Sequence, residues 1–320
     1  LRHRWRVYPG QPCLGFCPLI QRGVAMTVTV ITGTSSGIGL ATVIHLADAG
    51  HKVYAGVRNP HTADALKAAI AAQGGDISIL EMDVTGEGSI QDAIGGVLAA
   101  EGRIDVLVNN AGISSRGSVE ETPLDVFRKV FDTNFFGLVA VTQAVLPGMR
   151  ERGSGAIINV GSLAGQMSFA AHSVYAPTKY AVEAHSETLA QQMLPFNVRV
   201  AVIEPGVIPT ALIENTQKSQ GPLKPDSPYA MHGRRFAALF HTQLNHRTPA
   251  SADDVARTIE HAITTDDPKL RYLVGQDAVD LMAARRRVSD EDYIKFAAIE
   301  DDEDFFDAMK DWIGKEYFRP

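Results

Sequence analysis

Val28-Thr29-Val30-Ile31-Thr32-Gly33-Thr34-Ser35-Ser36-Gly37-Ile38-Gly39 opens on a β-branched run and closes on three glycines. The run predicts a strand buried on both faces. Glycines follow where the chain must turn tightly and let its backbone come close to a ligand. An amphipathic stretch, Ile38–Ala49, continues from them as a helix. A helix that starts at such a turn presents unpaired N–H groups and a partial positive charge, which suits a pyrophosphate. A glycine trio by itself is a weak signal. Its place after the first strand of a βαβ unit gives it weight.

Working outward, the same alternation repeats. Apolar, β-branched runs fall at Thr27–Ile31, Lys52–Val57, Ile77–Met82, Ile104–Val108, Ala156–Val160, Val198–Ile203 and Leu270–Val274. Helical periodicity fills Ile38–Ala49, Thr62–Ala72, Ser89–Ala100, Leu124–Arg152 and Tyr175–Met193. Seven such units joined by right-handed crossovers predict one doubly wound, seven-stranded, parallel Rossmann-like α/β sheet. The expected organisation is a cofactor-binding catalytic domain over residues 26–275, with a lid insertion at 207–250 and an acidic helical tail at 276–320. The lid region holds five prolines and a helix-like patch with Phe236, Leu239, Phe240 and Leu244 three to four residues apart, and its Leu212, Ile213, Tyr229, Phe236 and Phe240 suit an apolar substrate. The acidic run Glu300–Asp304 reads as a solvated face. Residues 1–25 lack the pattern of the rest and read as an extension before a start at Met26.

The 320 residues carry a formal net charge of −7, which argues against a general nucleic-acid surface. Cys13 and Cys17, both in the extension, are the two cysteines, so residues 26–320 offer neither a disulfide framework nor a thiolate nucleophile. Nothing in the sequence suggests a metal site. No uninterrupted stretch nears the roughly 18 apolar residues of a membrane span, and a cytoplasmic protein is expected.

The glycine spacing, Gly-xxx-Gly-x-Gly, is one of several segments that occur in a fixed order. Asp83-Val84 follows the third strand, Asn109-Asn110-Ala111-Gly112 the fourth, and Pro205-Gly206 with Thr210 the sixth. Tyr175-xxx-Lys179 places a phenol and an ammonium on one helix face, with Ser162 thirteen residues upstream and Asn134 in Asp132-Thr133-Asn134-Phe135-Phe136-Gly137. Together these resemble the short-chain dehydrogenase/reductase family of the Tyr-xxx-Lys type, over roughly residues 27–275. The stretch around Thr210, with Arg271–Gly275, is similar to its hydroxysteroid- and retinol-dehydrogenase-like members.

The resemblance implies that Gly33, Ser35, Ser36, Gly37, Ile38 and Gly39 cradle a nicotinamide cofactor and that Asp83 and Val84 flank its adenine. Asn110, Ala111 and Gly112 would back it, with Pro205, Gly206, Ile208 and Thr210 at the nicotinamide. A carboxylate at the end of the second strand would repel a 2′-phosphate. Here Val57 stands there, followed by Arg58, which with Ser35 favours NADP(H) over NAD. Asn134, Ser162, Tyr175 and Lys179 match the family's catalytic group. Tyrosine's ordinary pKa near 10 is too high for a base at neutral pH, and the neighbouring ammonium is expected to lower it. The expected activity is reduction of a ketone or aldehyde, or oxidation of a secondary alcohol, on a lipophilic small molecule. By the same resemblance the helices at Leu124–Arg152 and Tyr175–Met193 pack on a second subunit, giving a homodimer or homotetramer.

Three other readings are weighed. A non-catalytic NADP-binding regulator on this fold would be free to lose Ser162, Tyr175 or Lys179, and this chain has all three. Gly161-Ser162-Leu163-Ala164-Gly165 matches a hydrolase nucleophile elbow, which leaves the glycine loop unexplained. His172 and His185 lie nearby without a carboxylate or serine at nucleophile–base spacing.

Overall fold

Strand β1, Val28–Thr32, is buried along its whole length, as a run apolar on both faces requires. It pairs in parallel with β2, Lys52–Val57, on one side and with β4, Val106–Asn109, on the other. The computed structural model describes residues 26–210, 212, 226–245 and 249–314, with 242–245 described by backbone alone. The expected extension 1–25, Ile213, most of the lid's first half and the Leu244 side chain lie outside the described residues. With β3 (Ile77–Glu81), β5 (Gly155–Val160), β6 (Val198–Pro205) and β7 (Arg271–Val274), the sheet runs β3-β2-β1-β4-β5-β6-β7, all parallel. The expected seven-stranded Rossmann-like α/β fold is therefore present. Strand order reverses between β1 and β4, which opens a crevice at the carboxyl ends of the strands.

Helices cover both faces. On one, α1 (Gly37–Asp48) and α2 (Asp64–Gln73) contribute Val43, Leu46 and Leu66, and α8 (Ala252–Thr264) contributes Val255, Ile259 and Ile263. On the other, α3 (Glu87–Glu101) brings Ile90 and Ile94, α5 (Gly137–Arg152) brings Val141, Val145 and Met149, and α6 (Tyr175–Met193) brings Leu189. Helix α4 (Leu124–Phe131) runs into α5 through a single π turn, Asp132–Phe136.

The continuous helix Leu124–Arg152 is the one helix among the described residues long and apolar enough to cross a membrane. Gly137, Thr142 and Gln143 interrupt its apolar run without making the average polar. The sheet accounts for its composition, since Val141, Val145 and Met149 are buried there.

The C-terminal segment is helical, as the expected tail is, and it also builds a third core. Helices α9 (Gln276–Arg285), α10 (Asp290–Lys295) and α11 (Asp302–Ile313) bury Leu281, Phe305, Met309 and Trp312. They pack with Leu163 and Met167 from beyond β5 and with Leu239 of α7 (Ala230–Asn245), which lies in the region expected as a lid. In the acidic run Glu300, Asp301, Glu303 and Asp304 are exposed, as a solvated face expects, and Asp302 is half-buried. Asp301 caps α11 by accepting the N–H groups of Glu303 and Asp304, and Asp302 meets Arg235 of α7 at 2.7 Å. Helix N-termini favour carboxylates, which is a sufficient reason for the clustering.

Candidate active site

The crevice between β1 and β4 holds a cleft of about 760 Å³. Every residue expected to bind the cofactor lines it, from Gly33 through Arg58, Asp83 and Asn110 to Thr210; so do Ser162, Tyr175 and Lys179. Asn134 does not line it and is buried beside it, 1% exposed.

The glycine loop forms one wall. Gly33 adopts φ +70°, and a Cβ on it would lie 2.7 Å from Ala111 Cα. A Cβ on Gly39 would lie 2.3 Å from the Gly33 carbonyl oxygen and 2.6 Å from Asn110 Nδ2. Both positions therefore need glycine for backbone to pack on backbone. Asn110 Nδ2 donates to the carbonyls of Thr32 and Gly33, each at 2.9 Å, and Thr32 Oγ1 accepts the N–H groups of Asn110 and Ala111. This ties the loop after β4 to the loop after β1. Ser36 at the start of α1 makes no side-chain cap, and no acidic residue stands in the first turn. A cradle of this shape, with unfilled donors at a helix N-terminus, fits a dinucleotide's pyrophosphate.

At the adenine end, Asp83 accepts the Thr85 N–H at 2.9 Å and its hydroxyl at 2.7 Å. Burial pushes its carboxyl up, but these bonds and the charge of Arg58 hold it below the ordinary range. Arg58 is exposed on the cleft rim.

The residues expected to be catalytic come from three elements. Ser162, just past β5, begins a short 3-10 turn, with Oγ accepting the Ala164 N–H at 3.1 Å. Tyr175 is the first residue of α6, and Lys179 lies one turn on, its Nζ 5.6 Å from the phenol ring centre. Tyr175 and Ser162 line the cleft together, the Ser162 hydroxyl drawing the phenol's pKa down, and Lys179 Nζ donates to the Val160 carbonyl at 2.8 Å. Asn134 sits in the π turn. Its Oδ1 accepts the Ile113 N–H at 2.8 Å, and its Nδ2 donates to the Ile113 carbonyl and to Thr178 Oγ1. π turns recur at functional sites, where they re-aim a side chain without ending the helix.

The electrostatics correct one expectation. Burial pushes the Tyr175 phenol up to about 12, and the Ser162 hydrogen bond offsets only part of that. Lys179 does not lower it here, because its ammonium is turned to Val160. Burial pulls Lys179 itself down to about 8, against the charge of Glu183.

Beyond Tyr175 the cleft is aromatic. Ring centres of His172 and Tyr175 are 5.1 Å apart, His172 and Phe236 4.7 Å, Phe169 and Phe236 6.0 Å, and Phe236 and Phe240 5.8 Å. Leu212 also lines this end, while the lid's Tyr229 bonds Glu120 outside it. Arg116 lies over the rings of Phe236 and Phe240 at 5.0 and 5.2 Å. Burial, helped by the Arg116 charge, pulls His172 down to about 3, so it is a neutral imidazole. Sequence reasoning set His172 aside and did not single out Arg116 or Phe169. All three sit in loops whose path carries no periodic signal. Thr178, which holds Asn134, lay in view inside Tyr175-xxx-Lys179.

The profile of the short chain dehydrogenase family matches residues 27–221. The chain belongs to that family. Among its relatives, an uncharacterized oxidoreductase of Bacillus subtilis, YusZ, is 38% identical over 252 residues, covering 78% of this chain and 89% of that protein. Human 17-beta-hydroxysteroid dehydrogenase type 1 is 35% identical over 269 residues, 82% of this chain and 81% of that one. A solved short-chain dehydrogenase from Streptomyces avermitilis superimposes with a TM-score of 0.71 at 35% identity, covering 82% and 93% of the two chains. The protein is thus a short-chain dehydrogenase, an oxidoreductase, among whose relatives are hydroxysteroid dehydrogenases.

Proposed function

We propose that this short-chain dehydrogenase uses NADP(H) to interconvert a lipophilic ketone or aldehyde and its alcohol. The observation that carries this reading is that Ser162, Tyr175 and Lys179 line one cleft, Lys179 Nζ 5.6 Å from the Tyr175 ring centre, with the glycine loop as its wall and aromatic side chains closing it. The donors at the start of α1 would hold the pyrophosphate, Ser35 and Arg58 the 2′-phosphate, Asp83 and Val84 the adenine, Lys179 the ribose and Thr210 the nicotinamide amide. When bound, the nicotinamide gives or takes the hydride. Tyr175 gives its phenolic proton to the substrate oxygen during reduction and takes it back during oxidation, while Ser162 holds that oxygen by a hydrogen bond. Asn134, fixed by Ile113 and Thr178, anchors the relay that returns the proton. Phe169, Phe236, Phe240 and Leu212 supply apolar contact and exclude water.

The test is a screen of ketones and secondary alcohols by nicotinamide absorbance, with Tyr175→Phe beside the parent. NADPH binding should survive in the variant, and turnover should fall about 10²–10⁴-fold. Turnover within severalfold of the parent would remove Tyr175 from the mechanism.

A cytoplasmic homodimer or homotetramer is the proposed working form. Leu124, Phe136 and Tyr180 are exposed apolar side chains on α4, the π turn and α6, where burial against a second copy would remove them from water. Light scattering at micromolar concentration should give at least twice the chain mass, and a monomer there refutes it.

A further inference from the structure

Behind the helix that carries Tyr175 and Lys179, charged side chains meet in the interior. Glu183, one turn past Lys179 on α6, and Glu204, near the end of β6, are 6% and 1% exposed. Arg271 of β7 donates from Nε to Glu183 Oε2 at 2.8 Å and from Nη2 to Glu187 at 2.9 Å, and Nε stands 3.8 Å from Glu204 Oε1. Gln166, just past the Ser162 turn, donates to Glu204 Oε1. Glu183 Oε1 receives no N–H or hydroxyl bond among the described residues. It lies under the Ser162 loop, where a Cβ on Gly161 would be 3.0 Å away. Arg271 Nε stands within 4 Å of both carboxyls, and two buried carboxyls this close to one cation favour the state in which one of them keeps its proton. One arginine and one amide thus face two buried carboxyls directly behind the catalytic lysine.

We propose that Glu183 is a positioning residue for Lys179: the Glu183–Glu204 pair carries one negative charge and one shared proton, and the charge resting on Glu183 keeps Lys179 an ammonium. This rests on reading Lys179 as the group that holds the ribose and supports Tyr175. Among the described residues the groups facing Lys179 are Tyr175 and Glu183 on its own helix and the Val160 carbonyl of β5. Those facing Glu183 are Lys179 and Glu187 on α6, Glu204 on β6 and Arg271 on β7. Burial and then Glu204 push Glu183 up to about 7, with Arg271 opposing. Lys179, pulled down to about 8 by burial, would fall further without Glu183.

The signs are opposite for the two carboxyls. Glu183→Gln leaves the negative charge on Glu204, away from Lys179, so Lys179 loses its proton at lower pH. Glu204→Gln removes the competitor for the charge, so Glu183 ionises more fully and Lys179 keeps its proton to higher pH. A role confined to packing predicts the same kind of loss from both, with no movement of the alkaline midpoint.

The experiment follows NADPH binding to the full chain by nicotinamide fluorescence from pH 6 to 10, with kcat/KM for a reduced ketone beside it. Glu183→Gln should move the alkaline midpoint down by on the order of one pH unit, and Glu204→Gln should move it up. Midpoints that stay put, or that move the same way in both variants, overturn the proposal. If Glu183→Gln fails to fold, Glu204→Gln alone decides, since an unmoved or lowered midpoint refutes the idea. Lys179→Met separates the two layers. Loss of the alkaline limb in that variant assigns the limb to Lys179, whatever the carboxyls do. A limb that persists overturns both the reading of Lys179 and this proposal.

Discussion

At the scale of single residues, the proposed preference for NADP(H) rests on one exposed guanidinium. Arg58 stands at the cleft rim, close enough to Asp83 to draw its carboxyl down. A cation held beside a carboxylate is still attractive to a phosphate, which carries more charge and more acceptors. Arg58→Ala should therefore weaken NADPH roughly ten- to a hundredfold, the worth of one or two charge-assisted hydrogen bonds. NADH, with no phosphate to lose, should change by less than about threefold. Titration of both cofactors against both proteins decides it. Equal losses would mean that Arg58 shapes the rim without reading the phosphate. His172 shows the opposite use of a titratable group. Half-buried and held neutral, it offers the aromatic end of the cleft a flat ring and no charge.

At the scale of elements, helix α7 has two buried faces. Phe236 and Phe240 look into the cleft, while Arg235, 3% exposed, points the other way into the C-terminal segment. Arg235 donates to the carbonyls of Ile299, Glu300 and Asp301 and to Asp302 Oδ1, and lies 4.4 Å over the Phe305 ring. Arg235→Met keeps the apolar stem but strands those acceptors, at a cost of about 2–4 kcal/mol. The melting temperature should fall, and the Michaelis constant should rise severalfold for bulky ketones and little for small ones. A uniform loss across substrates would show that α7 is simply buried and does not sort them. None of this joint was legible in the sequence. The strands were, because runs such as Val28–Thr32 are apolar on both faces, and α6 was, because Tyr175–Met193 keeps helical period without a break. The cofactor loop was legible because its glycines answer to backbone contact rather than to distant side chains. The π turn at Asp132–Phe136 has no compositional mark, so the sequence showed Asn134 without showing how it is aimed. Arg116 and Arg235 owe their roles to partners far along the chain, and the acidic run around Asp301 reads alike whether it is solvated or capping a helix.

At the scale of the whole molecule, the two ends of the cleft rest on different cores. The cofactor end is built on β1 to β3 with α1 and α2, whose side chains belong to the central sheet. The substrate end rests on the third core, where Leu163 and Met167 of the Ser162 loop and Leu239 of α7 pack against Trp312, Phe305 and Met309. Trp312 also donates from Nε1 to the Ala284 carbonyl at 3.1 Å, which joins α11 to α9. Trp312→Ala should cost about 3–5 kcal/mol through lost burial and an open cavity, a large part of a typical domain's stability. The loss should not spread evenly through function. Below its lowered melting temperature the variant should bind NADPH as the parent does, because α1 and β1 do not touch the cavity. Ketone reduction should suffer instead, since relaxation of the third core shifts the loop that carries Ser162. Calorimetry, NADPH titration and ketone kinetics on the same preparation make the comparison direct. If NADPH affinity falls in step with turnover, the C-terminal core supports the whole sheet, and the division of the cleft between two cores is wrong.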